Sequence, residues 1–282
     1  MYKTWVEINK NALKSNICQF QKLIGGVDLM VVVKSNAYGH GLVEISKIVN
    51  KVHSVNGGTT WFGVDSIDEA MRLKKAGINS PILILGYTLK SRLKDVVRNN
   101  FRQVVYNKET IIELGKIKKK IKVHLKIETG TSRQGIEKEQ VLDFVKLIKK
   151  YPQIEIEGIY THFANIEDTT NYSFAEKQLN KFKEVVSLLE KNNIKIPIKH
   201  TACTAATILF PETYFNLVRV GIGIYGLWPS KETFVSAKNE HKQLILEPVL
   251  AWKTKIAQIK NIKAGTPISY GLTEKVFKNS KI

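Results

Sequence analysis

Strand-like and helix-like segments alternate regularly along most of the chain. The strand-like segments are short, β-branched and apolar on both faces, as in a parallel sheet covered by helices. The predicted strands are Asp28–Lys34, Thr60–Val64, Pro81–Leu85, Gln103–Tyr106, Lys122–Glu128, Ile154–His162, Ile196–Thr201 and Leu217–Tyr225. The predicted helices are Lys10–Leu23, Leu42–Val52, Ser66–Lys75, Lys90–Asn99, Lys108–Lys118, Lys138–Lys150, Tyr172–Lys191 and Thr204–Leu209.

Eight such units in about 200 residues predict an α/β protein of the (β/α)8 TIM barrel type. A doubly wound open sheet is the alternative. No Gly-x-Gly-x-x-Gly follows the Asp28 strand, which weakens a dinucleotide-binding version of that fold.

The character of the chain changes after Trp228-Pro229-Ser230. Two segments, Leu244–Trp252 and Thr254–Ile259, are predicted strands, and a turn is expected at 263–267. We therefore predict a barrel over residues 1–236 and the start of an all-β domain over 237–282. Residues 1–8 alternate like a strand and are expected to join the β-domain. A segment of about fifty residues cannot easily close an independent β-domain, so this domain is expected to be incomplete.

The composition constrains the partners. The chain has 44 Lys plus Arg against 25 Asp plus Glu, a formal charge of +19. This excess can indicate a polyanionic partner, but the lysines are spread over many helices and no nucleic-acid motif is present. No run approaches the roughly 18 apolar residues of a membrane span, and the amino terminus lacks a signal peptide. Cys18 and Cys203 have no metal or redox spacing. We expect a cytoplasmic protein with no metal, nucleic-acid or membrane partner.

The segment Val31–Gly41 carries the first candidate site. Three valines run into Lys34, which lies at the carboxyl end of a strand, where α/β folds place their chemistry. A lysine with low-dielectric walls behind it can lose its proton and form a Schiff base with an aldehyde. Taken alone, a Val-Val-Val-Lys run is more often a solvated lysine at a strand end. The following Asn-Ala-Tyr-Gly-His-Gly favours a site.

This segment, Val-Val-Lys-Ser-Asn-Ala-Tyr-Gly-His-Gly, closely resembles the pyridoxal-phosphate lysine motif of bacterial alanine racemases. The resemblance implies that Lys34 carries the cofactor covalently as a Schiff base and that Tyr38 contacts its phosphate. Further matches follow in the family's order from Trp5 to Gly271. They also imply that the chain ends within the family's carboxyl-terminal β-domain.

A second constellation lies in His124–Gly135. The alternation places His124, Lys126 and Glu128 on one face of a strand, and Arg133 follows in the loop. Two cations near a barrel interior need negative charge, from Glu128 or from carbamylation of Lys126. Spacing alone leaves Arg133 equally open as an anion clamp or a surface ion pair. The resemblance gives Arg133 a substrate-binding role and makes Lys126 the often carbamylated lysine that orients it.

Two segments, His200–Ala206 and Arg219–Gly226, are expected to form the cofactor floor, and a third ends a strand with His162. A lone histidine at a strand end, such as His162, is more often structural, but the resemblance places it against the pyridine ring. It also implies that Thr204 and the amides of Gly221 and Ile222 receive the phosphate. The family usually has Asn-Ser in place of Cys203-Thr204, and a proline in place of Val220. Threonine keeps the hydroxyl, whereas loss of the proline removes a rigid φ.

Arg219 bears on the type of reaction. At the pyridine nitrogen, where the resemblance places it, a guanidinium stays protonated and is a poor proton donor. The ring is then a weak electron sink, which disfavours transamination. Related barrel decarboxylases carry a carboxylate at this point, so Arg219 favours racemisation.

Racemisation requires one base on each face of the substrate carbon. Lys34 can serve one face. The second candidate is Tyr270, in a Ser-Tyr-Gly turn that is weak evidence alone. The resemblance makes Tyr270 a base that reaches the partner subunit's site, and so implies a homodimer with shared active sites.

The resemblance thus implies a pyridoxal-phosphate-dependent isomerase that interconverts L- and D-alanine and supplies D-alanine for cell-wall peptidoglycan. The sequence does not decide between alanine and serine, nor whether a chain of this length dimerises and is active. A non-catalytic pyridoxal-phosphate carrier and a barrel decarboxylase are the other readings.

Overall fold

The computed structural model describes residues 2–240 and 243–282; parts of the predicted domains at residues 1, 241 and 242 lie outside the described residues. The strands are β1 Thr4–Ile8, β2 Asp28–Val32, β3 Thr60–Val64, β4 Ile82–Ile84, β5 Arg102–Val105, β6 Ile121–Lys126, β7 Ile154–Tyr160, β8 Ile198–His200, β9 Leu217–Val220, β10 Leu250–Thr254, β11 Asn261–Ile262, β12 Pro267–Ile268, β13 Glu274–Lys275 and β14 Ser280–Lys281. The α-helices are Lys10–Ile24, Leu42–Val49, Ile67–Lys75, Leu93–Arg98, Lys108–Gly115, Val141–Lys149, Ser173–Lys191, Thr204–Leu209 and Lys231–Asn239.

The unit Asn9–Val249 is a parallel eight-stranded sheet that curves into a barrel. The strand order is β8-β7-β6-β5-β4-β3-β2-β9, so β2 pairs with both β3 and β9. Backbone hydrogen bonds also join the chain around the two edge strands: Asn216 N donates to Lys199 O at 3.1 Å, and Arg219 N to Ala202 O at 3.0 Å. The predicted TIM barrel is confirmed, and the doubly wound alternative is wrong.

The barrel interior is filled by side chains of the strands, as the fold requires. Its buried core cluster consists of Met30, Trp61, Leu83, Val104, Tyr160 and Leu217. The outer helices bury one apolar stripe each; in Lys10–Ile24 this stripe is Leu13, Ile17, Phe20 and Ile24. Asn9 caps that helix as predicted, because its side chain accepts from the amides of Asn11 and Ala12.

Two strand predictions are corrected. The segment Leu217–Tyr225 is a strand only to Val220, and Ile222–Tyr225 forms a 3₁₀ helix that ends at Gly226, whose φ is +85°. The apolar run had suggested a continuous strand, but its glycines let the chain turn at the barrel rim.

Of the segments Leu244–Trp252 and Thr254–Ile259, only Leu250–Thr254 is a strand. The backbone before it is paired by side chains of the first helix instead of by another strand. Asn16 accepts from Glu247 N and donates to Glu247 O, both at 2.9 Å, and thus replaces a strand partner.

The second unit combines Met1–Ile8 with Leu250–Ile282. β1 pairs antiparallel with β10 from Thr4–Thr254 to Ile8–Leu250, and two short hairpin-like pairings, β11 with β14 and β12 with β13, follow. The division falls after Val249, whereas a boundary after 236 would cut the helix Lys231–Asn239. Among the described residues no helix is long and apolar enough to span a membrane.

Candidate active site

A cavity of about 550 Å³ opens at the carboxyl ends of the barrel strands, where this fold gathers its chemistry. It is lined by predicted site residues from the ends of five barrel strands and the loops that follow them. These residues are Lys34, Tyr38, Lys126, Arg133, His162, Thr204, Arg219, Gly221 and Ile222. The structure therefore brings together every predicted site residue of the barrel unit.

Lys34 begins a single left-handed turn. The four residues after it, Ser35 to Tyr38, all have φ between +53° and +55°. Non-glycine residues in this region cost about 1–2 kcal/mol each, so surrounding contacts must stabilise the turn. Asn36 does so from within, because its side-chain oxygen accepts from Leu42 N at 3.0 Å and caps the next helix.

Glu69 holds this turn from the neighbouring βα connection. One carboxylate oxygen accepts from Ser35 N at 2.7 Å, and the other accepts from Asp65 N at 2.8 Å. Glu69 also forms a capping box with Ser66 at the start of the helix Ile67–Lys75. Among the described residues, Ser66 makes no hydrogen bond to the turn after Lys34. Sequence reasoning did not identify Glu69 as a site residue, although Ser-x-x-Glu before an apolar run marks such a box.

We expect Glu69→Ala to lower stability by about 0.5–2 kcal/mol, because the helix cap and the Ser35 amide lose their acceptor, and to slow covalent cofactor attachment at Lys34. Ser66→Ala is the matched control: it removes the helix cap at a cost of about 0.5–2 kcal/mol and should leave attachment unchanged. Urea unfolding and the rate of absorbance change on adding pyridoxal phosphate measure the two effects. Equal attachment rates in both variants would show that Glu69 acts only on the helix.

One wall of the cavity is narrow and carries hydroxyl groups. A Cβ built on Gly221 would lie 2.5 Å from the Tyr38 hydroxyl, so only glycine leaves room for that group. Gly221 N donates to the Thr204 hydroxyl at 3.1 Å, and the 3₁₀ helix starting at Ile222 follows directly. Burial raises the pKa of Tyr38, which keeps its phenol protonated as a donor. The wall thus offers hydroxyl and amide donors at one place.

Lys126 and Arg133 form a cationic side of the cavity. Lys126 is 3% exposed, and its Nζ donates to Gln134 at 3.4 Å. Burial first, and then the charges of Arg133 and Arg219, lower the pKa of Lys126 to about 8. Glu128 does not pair with either side chain among the described residues. Its carboxylate accepts from the amides of Gly130 and Arg133, and so it folds the loop that carries Arg133.

Arg219 is fixed at the base of the cavity. Its guanidinium donates to three carbonyls, those of Thr161, His200 and Thr201, at 2.8–3.0 Å. It also donates to His200 Nδ1 at 2.8 Å and lies 5.0 Å over the Tyr160 ring. His162 lies 3.4 Å from the same guanidinium. Burial, and then the neighbouring cations, lower the pKa of His162 to about 3, so its ring is neutral.

The cavity lining carries more positive than negative side chains. Lys34, Lys126, Arg133 and Arg219 face it, whereas its acidic lining residues are Asp65 and Glu167. Buried cations need compensating charge, so the lining is suited to an anion of several charges. An amine at one point and hydroxyl and amide donors at another match an aldehyde and a phosphate on one molecule. The donor set fits pyridoxal phosphate.

Tyr270 lies in the other unit, on the short 3₁₀ helix Tyr270–Leu272, and is 99% exposed. It is the one predicted site residue that belongs to this second unit. Sequence reasoning missed the buried His200, which contacts Arg219, and Tyr225, whose hydroxyl donates to Val32 O at 2.9 Å beneath the Lys34 turn. No spacing rule indicates either contact, because each joins residues on different elements of the fold.

The fold and the cavity define a class: a (β/α)8 barrel with a lysine-bearing site for an anionic aldehyde cofactor. The family model "Alanine racemase, N-terminal domain" matches residues 8–229. Alanine racemase of Methanococcus maripaludis is 38% identical, over 99% of this chain and 73% of its own length. Alanine racemase 1 of Oceanobacillus iheyensis is 36% identical, over 99% and 72%. This chain belongs to the alanine racemase family.

Solved structures agree. Alanine racemase of Clostridium difficile 630 superposes with a TM-score of 0.87 at 32% identity, over 100% of this chain and 72% of that one. The Bacillus anthracis enzyme, solved with bound L-Ala-P, superposes at 0.85 with 35% identity, over 100% and 71%. The family's enzymes depend on pyridoxal phosphate, the cofactor that the lining fits.

Proposed function

We propose that this chain interconverts L- and D-alanine in the barrel cavity with pyridoxal phosphate as cofactor. The observation that carries the proposal is the single cavity in which a lysine amine, hydroxyl donors and a buried arginine converge. The cofactor, when bound, withdraws electrons from the substrate's α-carbon and so acidifies its hydrogen. The protein's own residues then decide where the proton goes.

Lys34 would hold the cofactor through Nζ and, once released, move a proton at the α-carbon on one face. Its turn is fixed by Asn36 and Glu69, which keeps the amine at a defined point of the rim. Tyr38, Thr204 and the Gly221 and Ile222 amides would bind the phosphate with the donors of the narrow wall.

Arg219 would donate to the pyridine nitrogen and His162 would lie against the ring. Arg219 donates to three carbonyls, and none of its partners in the described part of the chain is a carboxylate. Its guanidinium stays protonated, so it acts as a hydrogen-bond donor and does not deliver a proton. A pyridine ring whose nitrogen remains unprotonated is a weak electron sink for the negative charge that develops at the α-carbon. This favours return of the proton to that carbon over transamination or decarboxylation. Arg133, on the loop folded by Glu128, would bind the substrate carboxylate.

Racemisation itself tests the proposal. Purified protein with added pyridoxal phosphate should convert either enantiomer of alanine to the same mixture, as measured by chiral chromatography. Serine in place of alanine tests the substrate, since the cavity volume admits both. Covalent cofactor binding without conversion of either amino acid would indicate a carrier and would refute the proposal.

We also propose that Lys126 is carbamylated and that the carbamate binds Arg133. Only a neutral amine reacts with carbon dioxide, and a lowered pKa near 8 makes about one lysine in ten neutral at pH 7. The neutral fraction grows as the pH rises towards 9. We therefore expect a carbamate signal in ¹³C spectra with labelled bicarbonate, stronger at pH 9 than at pH 6. Lys126→Ala should lose that signal, while exposed Lys47→Ala should keep it; a signal that survives Lys126→Ala would contradict the assignment.

The active species we propose is a cytoplasmic homodimer. The exposure of Tyr270 supports this, because a phenol at 99% exposure is available to a second copy of the chain. In a two-fold dimer each subunit would lend Tyr270 to its partner's cavity.

A further inference from the structure

Beneath the cavity, a row of buried polar side chains crosses the barrel from Arg219 to Glu157. His200 Nδ1 lies 2.8 Å from Arg219 Nη1, and His200 Nε2 lies 2.9 Å from His124 Nδ1. His124 Nε2 lies 3.3 Å from a Glu157 oxygen. Both histidines are 0% exposed and Glu157 is 6% exposed, so water does not break the row.

The order of donors in this row follows from geometry alone. A guanidinium has no acceptor, so His200 Nδ1 must accept and cannot carry hydrogen. A neutral imidazole has one N–H, which in His200 is then on Nε2 and points at His124 Nδ1. His124 Nδ1 therefore also accepts, and its hydrogen is on Nε2, directed at Glu157. A cationic histidine at either place would set two donors against each other.

Glu157, at the other end of the row, requires the same order of donors and acceptors. Glu157 is an acceptor when ionised, and Arg102 Nε at 3.0 Å and Lys122 Nζ at 2.8 Å donate to it. Hydrogen bonds from His124, Arg102 and Lys122 outweigh its burial and lower its pKa to about 2. A donor-only group and an acceptor-only group thus terminate the row, and both ends demand one arrangement of hydrogens.

Packing inside the barrel holds the two histidine rings of this row in place. A Cβ on Gly158 would lie 2.3 Å from His124 Nδ1, so the ring occupies the space that any other residue would need. The His200 ring stacks on Tyr160 with centroids 4.7 Å apart and planes 6° apart. These contacts fix the orientation of each ring, and the two ring planes lie 67° apart.

We propose that Glu157 is a positioning residue for Arg219: through His124 and His200, both as Nε2–H tautomers, it supplies the remote negative charge for the guanidinium. Arg219 makes no ion pair with a carboxylate among the residues that the structure describes. The row connects Arg219 to the carboxylate of Glu157 indirectly, while His200, the ring that accepts from Arg219, remains neutral. The consequence for the reaction rests on the proposed function; the arrangement of hydrogens does not.

Nuclear magnetic resonance of the cofactor-free chain, labelled with ¹⁵N in histidine and arginine, tests the proposal. In the wild type we expect both histidines as neutral Nε2–H tautomers from pH 5 to 9, with separate, slowly exchanging Arg219 Nη signals. A cationic or Nδ1–H form of either ring would overturn the proposal with no variant needed.

Two variants of Glu157 and one control complete the test. Glu157→Gln keeps an acceptor oxygen, so the tautomers should persist while the His124 Nε2–H proton moves upfield and exchanges faster. In Glu157→Leu the acceptor is absent, and we expect mixed tautomers and averaged Arg219 Nη signals. Lys122→Gln removes an ion pair of the same carboxylate at the rim and should leave the row unchanged.

If Glu157→Leu does not fold, the wild type and Glu157→Gln still decide the outcome. Unchanged histidine and Arg219 signals in the folded Glu157 variants, or equal changes in Lys122→Gln, would overturn the role of Glu157. Because the spectra are recorded without cofactor, this result is independent of whether the chain racemises alanine.

Discussion

Lys34→Ala is expected to abolish covalent cofactor attachment and to lower racemisation by at least about 10²–10⁴-fold, the range for loss of a positioned acid–base group. Both effects follow because one amine at the cavity rim would hold the cofactor and then move the proton. The wild-type protein mixed with pyridoxal phosphate should turn yellow and, after borohydride reduction, yield a single labelled peptide containing Lys34.

The matched control is Lys47→Ala. Lys47 is an exposed lysine on the helix Leu42–Val49 that follows the same turn, so the change alters charge without touching the cavity. It should keep the yellow adduct and full activity. Recovery of the label on a lysine other than Lys34, or an active Lys34→Ala protein, would contradict the assignment of the site.

Tyr270→Phe is expected to lower racemisation by about 10²–10⁴-fold by removing the base for the second face. Exchange of the α-hydrogen in heavy water should continue for one enantiomer, because Lys34 still serves its own face. Tyr2→Phe, at an 81% exposed tyrosine of the same unit, is the control and should racemise normally. If Tyr270→Phe racemises as fast as the parent, the two-base mechanism is wrong.

Mixing the two inactive variants tests whether Tyr270 acts on the partner subunit. A hybrid of one Lys34→Ala and one Tyr270→Phe chain would contain one cavity with both Lys34 and Tyr270 if the tyrosine crosses the two-fold axis. Random exchange should then restore roughly one quarter of the wild-type sites. No recovery, with hybrid dimers shown by mass spectrometry, would place Tyr270 in the site of its own chain or outside any site.

Local sequence was sufficient for the elements and for most of the cavity lining. Apolar runs and capping residues such as Asn9 fix strands and helices, since both depend on neighbours in the chain. The position of Lys34 at the carboxyl end of a parallel strand indicates a site. The assignment of Arg133 and Arg219 to the same site came from the resemblance to the alanine racemase family.

The predictions from sequence failed where a partner distant in the chain overrides the structure that the local pattern favours. The apolar segment before Leu250 has the composition of a strand, yet Asn16 of the first helix takes its hydrogen bonds. The left-handed turn after Lys34 goes against the preference of its residues. It persists because Glu69 accepts from Ser35 N and the Asn36 side chain accepts from Leu42 N in the helix that follows. The contacts of Asn16 and Glu69 join residues that are far apart in the chain, so no short segment of sequence indicates them.

The sequence by itself determined that this chain forms a (β/α)8 barrel and which residues are candidates for its chemistry, because periodicity, residue type and motif are properties of the sequence. Only the tertiary structure decided the electrostatics of the site. Burial beside Arg133 and Arg219 lowers the pKa of Lys126, and the order of hydrogens from Arg219 to Glu157 depends on the spacing of four side chains from four different strands. Charge and proton position are set by the surroundings in space, and the barrel alone brings those surroundings together.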